Sequence, residues 1–190
     1  GIETLPVEFP LPQGDPVEPT PHPESPALLL HPFSRGIGKS LSADEVTELC
    51  EAVSPAPVWL VGVGDEKIAA HPWPSNVTNY LNRTTLLQLI SLIRAAGWTV
   101  SVDSGPMHLA AGISANVLSL HTWSDPLMVG PWRPGAWIWR DRQIREMQSI
   151  QPGEFPELRE RKKAYASKAR ILSPGDISAM ADFLNPRLQS

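Results

Sequence analysis

Short apolar runs bounded by glycine, proline and small polar residues recur along this chain, and between them the apolar positions switch to a three-and-four spacing. The runs are 27–31, 57–63, 98–102 and 116–121. Continuous apolar segments of that length suit strands buried on both faces of a parallel sheet. Val46, Leu49, Cys50 and Val53 fall on one face of a helix that Ser42 opens, with Glu45 placed to complete a capping box. Leu86, Leu89, Ile90 and Ile93 repeat the pattern after Thr84 or Thr85, and Gly97 stops that helix. A short helical segment after 64–66, brief strands at 77–80 and 137–140, and a closing helix over 177–184 behind Ser173-Pro174-Gly175-Asp176 complete the pattern. Strand alternating with helix predicts an α/β domain, a Rossmann-like parallel sheet with flanking helices, over residues 27–190.

Residues 1–26 depart from this pattern. They hold eight prolines, five acidic residues and no lysine or arginine, a composition that resists helix and sheet interiors and predicts a proline-rich linker. With 190 residues, 42% hydrophobic and 19% charged, the chain is expected to form one globular domain plus tails. No apolar stretch is long enough for a transmembrane segment, and the amino terminus does not read as a signal peptide. The single cysteine, Cys50, sits on a buried helix face, which fits a structural thiol and a reducing, cytoplasmic setting. A net charge of -4 offers no general field for nucleic acid, so any polyanion has to be met locally. Six of the sixteen basic residues fall between 157 and 170, on what reads as a solvated or mobile helix.

The chemistry gathers at strand ends. Asp103-Ser104-Gly105-Pro106-Met107-His108-Leu109-Ala110-Ala111 follows the run 98–102 and opens a small-residue helix. Gly105 permits a tight turn, Pro106 suits the first helical position, and the free amides beside them favour an anion such as a phosphate. Turn chemistry alone leaves open whether Ser104 or Asp103 simply caps that helix. After the first run, Ser34, Arg35 and Lys39 stand among glycines, so hydroxyl, guanidinium and ammonium donors can close around phosphate oxygens. This loop is no Walker motif, because the glycine expected five residues before Gly38 is missing. Glu66, beside Asp65, is placed either to accept ribose hydroxyls or to start a helix. Ser124 and Asp125 follow the run 116–121. No His, Cys or carboxylate spacing fits zinc. Of the tryptophans, Trp98, Trp137 and Trp139 read as packing residues, while Trp123 and Trp132 are open to stacking on a base or sugar.

Together these loops resemble glycosyltransferase family nine, the ADP-heptose:lipopolysaccharide heptosyltransferase group, in its carboxyl-terminal half. The resemblance runs from about Ala27 to Leu184. It rests on His31-Pro32-Phe33-Ser34 with Lys39, on Gly64-Asp65-Glu66, on the specific signature Asp103 to Ala111, and on Asp125-Pro126 with Gly130-Pro131. The resemblance implies the carboxyl-terminal half of a GT-B fold, holding a nucleotide-sugar donor for an inverting transfer to a lipopolysaccharide-type or other glycan acceptor. In that case Ser34 and Lys39 contact the diphosphate, Glu66 the ribose, Asp103 the donor sugar, and the Ser104 and Gly105 amides the pyrophosphate. Lys39 and Asp103 are the catalytic candidates, and Arg35, Met107, His108 and Asp125 join the substrate-binding set. No metal or other cofactor is implied. Two departures stand out. Ser40-Leu41-Ser42 follows Lys39 where the family usually has an aromatic and a proline, and the resemblance, which covers only the carboxyl-terminal half, implies that the amino-terminal acceptor domain, which in relatives supplies the general base, is missing here. The chain alone is therefore expected to bind donor weakly and transfer little, in the cytoplasm or at the periphery of the inner membrane. The alternative is a non-catalytic nucleotide-sugar-binding or interaction domain.

Overall fold

The computed structural model describes residues 10–19, 26–36, 38–166 and 170–189. Seven strands form one sheet: β1 (Leu28–His31), β2 (Val58–Leu60), β3 (Val77–Asn79), β4 (Trp98–Val102), β5 (Val117–Leu120), β6 (Trp137–Arg140) and β7 (Gln143–Glu146). Their spatial order is β3-β2-β1-β4-β5-β6-β7, parallel throughout except for the antiparallel β6–β7 pair. The chain leaves β1 toward β2 on one side and returns to β4 on the other, so the strand order reverses between β1 and β4. Their carboxyl ends diverge there and leave a crevice.

Helices cover both faces: α1 (Ala43–Ala52) and α7 (Pro174–Leu188) on one, α3 (Leu86–Ala95) and α4 (Gly105–Ile113) on the other. Successive strand residues point to opposite faces, and β1 divides accordingly. Leu28 and Leu30 pack with Val46, Leu49 and Leu184, whereas Leu29 packs with Leu92, Met107 and Ala110. The apolar runs are continuous because both faces are covered. Shorter helices α2 (Glu66–Ala69), α5 (Pro126–Val129) and α6 (Arg159–Ala166) occupy connections. The capping boxes of Ser42 with Glu45 and Ser173 with Asp176 are both formed, and Thr85 caps α3 in the same way with Gln88. Each such cap is worth about 1 kcal/mol.

Three elements differ from the sequence reading. The closing helix continues past Leu184 to Leu188, through Pro186 in its last turn. The short α5 occupies a stretch read as loop. Strand β7 pairs with β6 through a two-residue turn in which Asp141 and Arg142 have φ of 48° and 67°. Asn-Gly is the usual signal for such a turn, and Asp-Arg carries none. Of the basic stretch read over 157–170, Arg159–Ala166 is helical as α6, with 167–169 outside the described residues.

Residues 10–19 run along α3. The Asp15 amide donates to the Leu87 carbonyl at 3.2 Å, Ser91 Oγ to the Asp15 carbonyl at 2.7 Å, and Arg94 Nη2 to the Leu11 carbonyl at 2.9 Å. Tyr80 Oη donates to the Pro19 carbonyl at 2.6 Å, and Val17 is buried. Gly14, at φ +96°, lies so close that a Cβ would come within 2.3 Å of Ser91 Oγ. The rest of the stretch read as linker, 1–9 and 20–25, lies outside the described residues.

Candidate functional site

At the strand-order reversal lies a cleft of about 1200 Å³, lined by residues from the ends of β1, β2 and β4, the start of α4, and the 82–89 segment. Its floor is α4. Ser104 occupies the N-cap position with extended backbone, yet its side chain makes no capping hydrogen bond. Its hydroxyl turns back to donate to the Val102 carbonyl at 3.0 Å. The first turn of α4 therefore presents amides that no side chain satisfies, at the positive end of the helix dipole. The capping alternative left open by turn chemistry does not hold for Ser104.

Beside those amides the structure brings Lys39 and Asp103 together. Lys39 Nζ donates to Asp103 Oδ2 at 2.6 Å, and Ser124 Oγ donates to the same oxygen at 2.6 Å. Burial alone would raise the Asp103 pKa, but the hydrogen bonds from Lys39 and Ser124 and the Lys39 charge outweigh it and hold the carboxyl below the usual carboxylate range. The Lys39 ammonium also sits 4.8 Å from the centre of the Trp123 ring, and Lys162 Nζ lies 5.2 Å from the same centre. Trp123 thus serves as a cation platform.

The loop carrying Ser34 and Lys39 is closed by Ser40, in place of the aromatic residue of the resembling family. Ser40 Oγ accepts from the Ser34 amide at 2.8 Å and donates to the Ser34 carbonyl at 3.0 Å. Thr122 Oγ1 donates to the Gly38 carbonyl at 2.7 Å and ties the loop to the end of β5. Ser34 Oγ accepts from the Gly36 amide at 3.0 Å, which leaves its own hydrogen to offer. Arg35 is exposed on the cleft wall.

His31 closes the β1 end of the cleft. Ser101 and Ser104 both spend their hydroxyl hydrogens on the Val102 carbonyl, at 2.9 and 3.0 Å. Toward His31 Nδ1, at 3.3 and 3.2 Å, they can only accept. This arrangement suits a neutral ring with the proton on Nδ1 and Nε2 as an acceptor. Burial pushes the His31 pKa down to about 4. Gly62, at φ +129°, lies under this ring, where a Cβ would come within 3.2 Å of it.

The remaining sequence candidates fall in different places. Gly105 and His108 line the cleft. Met107 is fully buried among Leu29, Leu92 and Ala110, so its side chain packs α4 on the sheet and does not face the cleft. Glu66 begins α2 as an exposed residue beyond Val63, outside the cleft wall. Asp65 spends its carboxylate on the Ile68 amide at 2.9 Å. Asp125 caps α5 through the Leu127 amide at 2.8 Å, and its neighbour Ser124 meets Asp103. Sequence reasoning passed over His31 as a side chain, as well as His121 and Asn82, and named Ser124 only as a polar residue at a strand end. Asn82, at φ 59°, lines the cleft and clasps Gly64 through both its amide atoms. An Asn in the left-handed region is a signal that only backbone geometry reveals.

Trp98 and Trp139 are core residues, and Trp137 packs against Phe183. Cys50 is buried, and burial pushes its thiol up to about 12, as befits a structural residue. Among the described residues no helix is long and apolar enough to cross a membrane.

Comparison with known proteins agrees with this architecture. A curated relative, the lipopolysaccharide core heptosyltransferase OpsX of Haemophilus influenzae, is 36% identical over 69 residues, 35% of this chain and 19% of the relative. Among solved structures, the Escherichia coli ADP-heptose lipopolysaccharide heptosyltransferase II superposes with TM-score 0.61 at 22% identity, over 87% of this chain and 47% of its own. The Escherichia coli heptosyltransferase WaaC with ADP gives 0.59 at 18% identity, over 88% and 46%. The chain thus spans about half the length of these solved relatives. The model of glycosyltransferase family 9 (heptosyltransferase) matches residues 13–154, most of the chain and all of the cleft, and on that ground the chain belongs to glycosyltransferase family 9.

Proposed function

We propose that this chain binds the nucleotide diphosphate sugar donor of an inverting glycosyl transfer, with ADP-heptose as the first candidate because WaaC and its relatives are heptosyltransferases. The observation that carries the reading is the uncapped start of α4 lying beside the Lys39–Asp103 pair at the point of strand-order reversal. In this reading the diphosphate lies over the Ser104 and Gly105 amides, with Lys39, Arg35 and the Ser34 hydroxyl as further donors. Asp103 Oδ1, which has no hydrogen-bond partner among the described residues, accepts from a hydroxyl of the sugar. His108 faces the same space, and exposed Glu66 meets the ribose at the rim.

Transfer is a displacement at the anomeric carbon. The acceptor oxygen forms its bond as the carbon–oxygen bond to the diphosphate breaks, and that electron pair leaves with the diphosphate. Lys39 and the α4 amides offset the charge developing there. The acceptor, a lipopolysaccharide-type or other glycan, and the base that takes its hydroxyl proton belong in this reading to elements other than these, so this chain by itself binds donor and transfers little. No metal is assigned to the step.

Calorimetric titration with ADP-heptose and with other ADP-, UDP- and GDP-sugars tests the reading. Saturable binding of ADP-heptose that Lys39→Ala weakens is the expected result. Silence with every donor would overturn it in favour of an interaction domain that keeps the sheet without the chemistry. Full transfer activity of the chain alone would refute the assignment of the base to other elements.

A further inference from the structure

We infer that Ser119, His121 and Ser124 form a buried hydroxyl–imidazole–hydroxyl column that aims the Asp103 carboxylate into the cleft, which makes His121 a positioning residue for the donor sugar. Only the last step, the sugar, rests on the donor reading above. The column itself rests on hydrogen-bond direction.

Asp103 Oδ2 accepts from both Lys39 Nζ and Ser124 Oγ. An ionised carboxylate has no hydrogen to give, so the single hydroxyl hydrogen of Ser124 is spent on it. Ser124 Oγ also stands 3.2 Å from His121 Nδ1, and with its hydrogen committed it can only accept there. His121 Nδ1 is therefore the protonated nitrogen. The neutral ring then has a lone pair at Nε2, and Ser119 Oγ, 2.8 Å away, donates to it. Each donor in the chain is fixed by the next acceptor, from Ser119 to Asp103.

The column is also held from the side. Arg140, wholly buried, donates Nη1 to the Ser124 carbonyl and Nη2 to the Pro156 carbonyl at 3.2 Å. Ser124 is thus gripped by its main chain and its hydroxyl at once. Two donors on Oδ2, one from the β1 loop and one from the β5 loop, set the plane of the Asp103 carboxylate and leave Oδ1 to the cleft. Without the His121 N–H, Ser124 Oγ keeps a buried lone pair with no donor, and its rotation is released. His121 and Ser119 are buried, so they act through Ser124 and Asp103.

Nitrogen NMR on histidine-labelled protein without ligand tests the column directly. An Nδ1–H ring signal that His121→Asn deletes, in addition to the one expected of His31, is the expected result; an Nε2–H tautomer at His121 overturns the proposal. Calorimetry then compares ADP with ADP-heptose. His121→Leu should weaken ADP-heptose about tenfold and leave ADP unchanged, whereas His121→Asn, which restores an N–H near Nδ1, should stay within about threefold of the parent. Parallel losses for ADP and ADP-heptose would mean a merely structural role and sink the assignment. If His121→Leu does not fold, Ser119→Ala gives the same split with a smaller loss. A parent protein with no affinity for ADP-heptose counts against the donor reading, and the tautomer then decides the column alone.

Discussion

The carboxyl ends of β2 and β4 each deliver acidic residues to one edge of the sheet, and the two ends use them in opposite ways. After β2, Asp65 and Glu66 are exposed, and Asp65 serves as a helix cap. After β4, Asp103 is buried with Lys39 and Ser124 on one oxygen, while Ser104 in the N-cap position leaves the helix amides uncovered. An exposed carboxylate competes with water and contributes little. A buried one costs desolvation and persists because fixed donors surround it. Where a cap is spent on the helix, the end is finished structure; where the cap is withheld, the end is open to a ligand.

Mutation at the buried end should have the largest effect. In the proposed transfer reaction, Asp103→Ala should lower turnover by about a hundredfold to a thousandfold. Unchanged turnover would erase the distinction between the two strand ends.

The buried end should also sensitise the fold to acid. His31 and His121 are held at about 4, from an ordinary 6.5, chiefly by burial. Between those values the unfolded chain binds more protons than the folded one, so stability falls as pH drops from about 6.5 toward 4 and levels off below. The upper figure is on the order of 3 kcal/mol for each ring. Asp103, whose pKa is lowered in the folded state, adds its own loss only as pH falls below the ordinary carboxylate value. Urea unfolding at a series of pH values measures this, and a flat profile from 6.5 to 4 would contradict the neutral assignment of both rings.

Lys39→Ala should weaken ADP-heptose binding about thirtyfold, the size of a charge-assisted hydrogen bond to a phosphate. The smallest effect belongs to the β2 end. Glu66→Ala should change affinity by about threefold, as expected of an exposed group. A larger loss, measured by the same titration, would show that the ribose makes the β2 end the equal of the β4 end.

The sequence carried much of this because much of it is local. Strand runs, the capping boxes of Ser42 and Ser173, and the Asp103–Ala111 turn are written in neighbouring residues, whereas the approach of Lys39 to that turn joins distant parts of the chain and was expected only through the family resemblance. Ser124 and His121 were harder. Their role depends on β5 lying beside β4 and on Asp103 offering Oδ2 to both loops, a juxtaposition made by sheet order. Met107 fell inside the signature yet faces the core, because every third or fourth residue of α4 must pack on the sheet. Ser40 read as a departure and proved to be the residue that closes the Lys39 loop. Strand β7 was hidden by a turn whose Asp141-Arg142 pair lacks the usual glycine.

The most direct test is a structure of this chain with ADP-heptose bound. The account predicts the diphosphate over the Ser104 and Gly105 amides within hydrogen-bond reach of Lys39, and a sugar hydroxyl on Asp103 Oδ1. A donor bound elsewhere, with Lys39 and Asp103 untouched, would contradict it.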